Sequence, residues 1–134
     1  MCKTFGTQIF YMADNLKTVY YNSDFSAGEN NQILNTDSIE KVVFGGTIVP
    51  NSVCYSCVNL SEVIILDSVI SIKECAFTNC KKMTCITIGK GVKTIGAFAN
   101  VSEHSPFSGC VGLTRVNYTG RISDWCTITF DYIY

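Results

Sequence analysis

The sequence predicts a repeat solenoid of about five stacked coils. One face would carry a parallel β-sheet, and the other would carry short strands, turns and short helical corners. Two observations predict this architecture. The chain has 134 residues, enough for one domain, and 47% are hydrophobic while only 16% are charged, so it has ample apolar surface for a core. A short apolar pattern also recurs five times, and within each copy the apolar positions alternate as on one face of a strand.

Each copy begins at an apolar anchor, with further apolar residues three and five positions later. The anchors are separated by 23, 21, 23 and 30 residues. A period of this length with Leu-x-x-Ile-x-Ile spacing is typical of leucine-rich repeats. A single strand cannot bury its apolar face, so stacked copies are needed to enclose a continuous core. The five anchors are Leu16, Ile39, Leu60, Met83 and Leu113.

Apolar residues also recur nine and twelve positions after the anchor, as at Val69 and Ile72. We call these the return positions, because we expect them to bring the chain back across the opposite side of the coil. The segment 73–77 then makes a corner, where Phe77 plugs the end of the core. Ile122 and Trp125 occupy the return positions of the last coil. Phe107, which corresponds to Phe77, lies seven residues farther from its anchor than Phe77 does, so the segment 97–106 contains an insertion.

These boundaries predict a single domain. Residues 1–15 form an N-terminal cap, residues 16–130 form the leucine-rich-repeat solenoid, and residues 131–134 form a C-terminal tail. Solenoid ends need capping because an open end exposes unpaired strand edges. Trp125, Ile128 and Phe130 are expected to close the C-terminal coil. If either cap is incomplete, we expect a homodimer through the ends.

Two segments carry a family resemblance. Residues 71–89 read SIKECAFTNCKKMTCITIG, and residues 118–130 read YTGRISDWCTITF. Both resemble the BspA-like class of leucine-rich repeats, in which Ala-Phe and Cys precede Leu-x-x-Ile-x-Ile, and Trp-Cys-x-Ile-x-Phe is a common ending. The resemblance implies the solenoid fold. It also implies a relation to repeat surface proteins of bacteria and some protists that act in adhesion and protein binding.

The cysteines are better explained by packing than by chemistry. Cys57, Cys80 and Cys110 occupy the same repeat position, so stacked coils would bury them as a ladder of small apolar side chains. Cys54 and Cys57 form a Cys-x-x-Cys pair, but a zinc site needs four ligands and the chain has one histidine. We therefore predict no metal and no cofactor. Cys126 is expected to fill a gap, as is Cys75, and Cys85 lies at an outward strand position.

Several classes of function are disfavoured. The net charge of −1 and the absence of a basic stripe argue against direct nucleic-acid binding. No run of 18 apolar residues is present, so we expect no membrane span. The sequence has no glycine-rich phosphate loop and no paired carboxylates, which argues against an enzyme.

The outward positions of the strands form the candidate binding face. Its central column is apolar in the middle coils, and an exposed apolar strip with a polar rim is typical of a partner site. Strand propensity alone, or a covering by residues 1–15, would also explain the strip. The insertion is a second candidate contact, because long loops often carry function. The candidate residues are Tyr20, Lys41, Val43, Glu62, Ile64, Leu66, Thr87, Arg115 and Asn117 on the strands, with Phe98, Glu103 and His104 in the insertion.

The sequence therefore predicts a non-enzymatic protein-binding module with a protein partner. Since the N-terminus lacks a secretory signal, the expected location is the cytoplasm and the expected role is a small intracellular inhibitor or adaptor. The first alternative is a fragment of a cell-surface adhesin that binds host protein or glycan. The second is a thiol-dependent enzyme, which would require an unusually acidic cysteine.

Overall fold

The computed structural model of the chain describes residues 10, 12–24, 34, 36–96 and 105–131. It confirms the leucine-rich-repeat solenoid. The four-residue strands begin two residues after each anchor, where the apolar alternation starts. The elements in chain order are β1 Thr18–Tyr21, β2 Lys41–Phe44, β3 Ile48–Val49, β4 Glu62–Ile65, β5 Ser71–Ile72, β6 Cys85–Ile88, β7 Thr94–Gly96, β8 Arg115–Tyr118, α1 Ile122–Trp125 and β9 Thr129–Asp131.

Two parallel sheets form the walls of the solenoid. The first has the strand order β1-β2-β4-β6-β8, and the second has the order β3-β5-β7-β9. The strands of the first sheet pair so that equal repeat positions face each other, as in the register Val42 to Val63 to Ile86 to Val116. Each repeat position therefore forms a straight row across the sheet.

The core lies between the two sheets. In β4 and β6, buried residues alternate with partly exposed ones, as expected for strands with one buried face. Val63 and Ile86 of the first sheet are fully buried, and Ile72 and Ile95 of the second sheet are buried opposite them. Burial of a whole aliphatic side chain contributes about 1.5–3 kcal/mol, so these rows stabilise the central coils.

A row of aromatic rings fills one end of the core. The ring centroids of Phe44 and Phe77 lie 5.8 Å apart, and those of Phe77 and Phe107 lie 5.7 Å apart with nearly parallel planes. Phe77 is completely buried, which confirms that it closes the core at the corner. These separations are typical of favourable aromatic pairs.

The corner turns repeat an unusual backbone conformation. Ser56, Asn79 and Gly109 each lie four residues before their anchors, and their φ angles are 58°, 63° and 71°. Ser52 and Cys75 lie eight residues before their anchors, and φ is 53° at both. This left-handed conformation is easy for glycine and costly for most other residues. The corners are therefore a property of the repeat rather than of local glycines.

The last coil departs from the predicted pattern. The return positions Ile122 and Trp125 lie in the short helix α1 rather than in a strand, and Ile122 is exposed. The helix is held at its start by Asp124, whose carboxylate accepts from the backbone N–H of Arg121 at 3.4 Å and from its guanidinium at 3.3 Å. The return strand comes later, as β9, which pairs with β7.

The predicted C-terminal closure is only partly correct. Ile128 is buried, and the Trp125 ring packs between the rings of Tyr118 and Phe130. Phe130, however, is half exposed, because no further coil covers it in the described part of the chain. Cys126 was expected to fill a gap but is exposed, since it follows the short helix at the surface.

Both predicted end segments and the insertion fall largely outside the described residues. In the N-terminal segment, Phe10 packs against the core. At the end of the insertion, the Pro106 carbonyl accepts from the backbone N–H of Phe77 at 2.9 Å. The division into cap, solenoid and tail therefore stays a prediction. Within the described ranges, no helix is long and apolar enough to cross a membrane.

Candidate binding face

The outward side chains of the five-stranded sheet form two rows, which we call the outer face. The in-register parallel pairing sets both rows. The first row consists of Thr18, Lys41, Glu62, Cys85 and Arg115. The second row consists of Tyr20, Val43, Ile64, Thr87 and Asn117.

The second row changes from apolar to polar along the solenoid. Tyr20 is 71% exposed at the N-terminal end, and Ile64 is partly exposed in the middle. The predicted exposure of Val43 is wrong, because its side chain is only 8% exposed. Val43 lies between Tyr20 and Ile64 in the register, and these larger neighbours shield it from both sides. Val43 therefore contributes packing between Tyr20 and Ile64, and not exposed surface.

Leu66 projects from the outer face just after β4, and it is 44% exposed. Glycines occupy the equivalent position in the coils on either side. A Cβ atom placed on Gly45 would lie 3.4 Å from the Leu66 Cδ1, and one placed on Gly89 would lie 2.5 Å from the Leu66 carbonyl. The close approach of Gly89 requires the absence of a side chain. Leu66 therefore stands between two positions that cannot cover it.

Charged groups border the apolar residues. The ammonium group of Lys41 lies 2.9 Å from the Glu62 carboxylate on the next strand, and Lys17 lies 2.7 Å from Glu40. Exposed pairs of this kind contribute about 0–1 kcal/mol to stability. They matter more for recognition, because they give the border of the face a fixed charge pattern.

Cys85 receives two donors on the polar half of the outer face. The Arg115 Nε–H donates to the Cys85 sulfur at 3.3 Å, and the Asn117 side-chain amide donates to it at 3.4 Å. The hydrogen bond to Cys85 raises the pKa of the Arg115 guanidinium. The sequence placed Cys85 outward but gave no sign of these contacts, which follow from the register between β6 and β8.

The structure brings most of the predicted site residues together on one surface. Among the nine positions predicted on the sheet, Val43 alone is buried. The three insertion residues Phe98, Glu103 and His104 lie outside the described residues. The exposed members that share the outer face are Tyr20, Lys41, Glu62, Ile64, Leu66, Thr87, Arg115 and Asn117.

The repeated cysteines face the interior. Cys57 and Cys80 are fully buried, and Cys110 is partly buried. Each thiol donates to a backbone carbonyl of the preceding coil, at sulfur-to-oxygen distances of 3.1, 3.1 and 3.0 Å. Burial raises the pKa of the Cys54 thiol well above its ordinary value, which disfavours the thiolate needed to bind a metal. Across the described residues, no group of three or more candidate ligands could hold a metal ion.

Comparison with protein families identifies the repeat. The model of the BspA type leucine rich repeat region matches residues 47–133 with six copies. This chain belongs to the BspA-type leucine-rich repeat family. The resemblance carried by residues 71–89 and 118–130 is thereby confirmed, and the outer face is the repeat sheet of a BspA-type solenoid.

Two solved structures share the leucine-rich-repeat fold of this chain. A leucine rich cell surface protein from Faecalibacterium prausnitzii A2-165 is 18% identical with a TM-score of 0.59, and the match covers 86% of this chain and 35% of that one. A leucine-rich repeat protein from Bacteroides ovatus ATCC 8483 is 26% identical with a TM-score of 0.58, covering 96% of this chain and 39% of that one. The chain thus spans little more than a third of either. Comparison with curated proteins gave no significant match.

Proposed function

We propose that this chain is a non-enzymatic protein-binding module that contacts its partner through the outer face at the cell surface. The observation that carries the proposal is the exposed apolar group of Tyr20, Ile64 and Leu66 on a regular sheet whose core is filled from the other side. These side chains add nothing to the core, so their burial would contribute to binding. Exposed apolar residues of this kind mark interaction sites.

The charged border suits a protein partner. A typical interface has an apolar centre with an aromatic anchor, and a polar rim that orients the partner. Tyr20 would supply the anchor, and the Lys41–Glu62 pair and Arg115 would supply the rim. We include Phe98, Glu103 and His104 of the insertion as a second contact.

The cell surface is favoured over the cytoplasm by the comparisons. One of the two solved relatives is named a cell surface protein. The adhesin alternative therefore has better support than the intracellular inhibitor or adaptor that the sequence first suggested. The proposal covers this segment of solenoid, since the related solved chains are much longer.

The binding face is tested with a charged double variant, Ile64→Glu/Leu66→Glu. The immobilised chain is incubated with host-cell surface proteins, and captured proteins are identified by mass spectrometry. We expect capture by the native chain and at least a tenfold loss with the double variant, since each buried anchor contributes about 1 kcal/mol or more. Ile70→Glu is the matched control, because Ile70 is exposed outside the two rows of the outer face. Equal loss in both variants, or none in either, would contradict the proposal.

Two further arms separate the alternatives. Removing glycans from the host proteins should leave capture unchanged if protein is recognised, and should abolish it if glycan is. An antibody to the chain should label intact cells of the source organism as strongly as permeabilised cells. Labelling only after permeabilisation would return the chain to the cytoplasm and favour the inhibitor or adaptor role.

A further inference from the structure

Two cysteines of neighbouring coils meet at one backbone oxygen. The Phe77 carbonyl accepts from the backbone N–H of Cys80 at 3.1 Å and from the thiol of Cys110 at 3.0 Å. Cys80 and Cys110 occupy the same repeat position, three residues before their anchors. Their side chains therefore stack along the solenoid axis on the same side of the core.

The coils are held closely together around this pair. The backbone N–H of Asn79 donates to the Ser108 carbonyl at 2.8 Å, and that of Phe77 donates to the Pro106 carbonyl at 2.9 Å. Neighbouring strands of a sheet lie about 4.8 Å apart, and these turns are joined by the same kind of backbone hydrogen bond. Disulfides join Cα atoms about 4.4–6.8 Å apart, so a spacing of this size permits a bond between the two thiols.

Solvent access distinguishes this pair from the other stacked thiols. Cys57 and Cys80 are fully buried, whereas Cys110 is partly exposed in the last described coil. Its neighbour Val111 is strongly exposed, which leaves the turn beside Cys110 open to small molecules. A small oxidant can therefore reach the Cys110 thiol from solvent, whereas the buried Cys80 thiol can react only with a neighbouring thiol within the core.

We propose that Cys80 and Cys110 are a modification site, an oxidisable pair that thiol–disulfide exchange with a small-molecule disulfide closes into an intercoil disulfide. The proposal is independent of the outer face and of any partner. It fits an oxidising location outside the cell, where such bonds persist. The cysteine ladder would then have a chemical role at its open end and a packing role elsewhere.

The exchange balances in two steps. Cys110 loses its proton to water and its thiolate attacks one sulfur of the small disulfide, which forms a mixed disulfide and releases one small thiolate. Cys80 then loses its proton and attacks the Cys110 sulfur, which forms the Cys80–Cys110 bond and releases the second small thiolate. The two cysteines are oxidised, the small disulfide is reduced, and the two released thiolates take up the two protons.

The bond would stabilise the C-terminal end of the solenoid. It closes the chain between residues 80 and 110, which contains the insertion, so it removes much of the freedom of the unfolded chain. It also ties the coil of β6 to the coil of β8, whose outer edge is unpaired in the described part of the sheet. We expect the oxidised protein to melt about 5 °C or more above the reduced protein.

The test uses the reduced chain and oxidised glutathione. After equilibration and quenching with an alkylating agent, a non-reducing digest is mapped by mass spectrometry. We expect one intramolecular link between Cys80 and Cys110, preceded by a transient glutathione adduct on Cys110. This mapping needs no variant, so a folding defect cannot obscure it. Cys126→Ser is the matched control, because Cys126 is exposed and its loss should leave the link unchanged.

The Cys110→Ser variant supplies the second readout. It should leave Cys80 unreacted and remove the dependence of the melting temperature on glutathione. The proposal is overturned if the link joins a different cysteine pair, if the adduct on Cys110 persists without transfer to Cys80, or if both thiols stay free while Cys126 reacts.

Discussion

Asp67 joins three coils at the end of β4. Its carboxylate accepts from the Thr119 hydroxyl at 2.8 Å and from the backbone N–H of Lys90 at 3.0 Å. These two hydrogen bonds, of which the one from Thr119 has the larger effect, hold the pKa of the Asp67 carboxyl below its ordinary value of 3.8. The charged form is therefore favoured by folding, and the group links the acid stability of the protein to the alignment of its coils.

Replacement of Asp67 by asparagine should flatten the acid side of the stability curve. Because the pKa of Asp67 is lower in the folded chain than in the unfolded chain, its carboxylate stabilises the native chain at pH values above the unfolded-state pKa. This contribution is lost as the pH falls through the folded-state pKa. Urea unfolding midpoints of native chain and Asp67→Asn should therefore differ most at pH values well above 3.8 and converge as the pH falls below 3.8. Thr119→Val removes the main donor and should reduce the same difference. Parallel curves for native chain and Asp67→Asn would refute the assignment.

Residue types alone do not reveal exposure on a solenoid face. Val43 and Leu66 are both aliphatic residues at outward positions, yet Val43 is buried and Leu66 is exposed. The difference lies in their neighbours across the sheet, since Val43 has larger flanking side chains and Leu66 has glycines. The sequence predicted correctly which strand positions point outward, but the exposure of each side chain there depends on contacts between strands.

At the scale of elements, apolar spacing determines the strands because it decides which side can be buried. The anchors predicted every strand of the first sheet for this reason. The corners were less accessible to prediction, since Ser52, Ser56 and Cys75 adopt the left-handed conformation without being glycines. The helix α1 was missed because Ile122 and Trp125 keep the apolar spacing, while the contacts of Asp124 with Arg121 favour a helical turn.

Gly89 gives a direct test of how tightly β6 approaches the preceding coil. In Gly89→Ala the new Cβ would lie 2.5 Å from the backbone carbonyl of Leu66, which cannot move without shifting its coil. We expect a loss of about 1–3 kcal/mol in the free energy of unfolding, measured with urea. Gly120→Ala is the control, because the atoms nearest to its Cβ belong to the side chain of Tyr118 and not to the backbone. Equal effects of the two changes would show that the approach at Gly89 is not limiting.

At the scale of the whole molecule, stability depends on the position of each coil along the axis. Apart from the contact between Asp67 and Thr119, the coils pack on their immediate neighbours, so a central coil is stabilised from both sides and a terminal coil from one. The core row shows this dependence directly. Val63 and Ile86 are fully buried, whereas Val116, at the same position of β8, is 48% exposed.

The rates of backbone amide hydrogen exchange should therefore differ from strand to strand along the solenoid, and should not be uniform. We expect the amides of β4 and β6 to exchange most slowly, and those of β8 to exchange faster because local opening of the last coil exposes little additional apolar surface. Exchange followed by mass spectrometry on the reduced chain, with peptides resolved by strand, measures this order. Uniform protection of the three strands would mean that the solenoid opens as one cooperative unit. A graded series would mean that its C-terminal end opens alone, which is the motion that the Cys80–Cys110 bond would suppress.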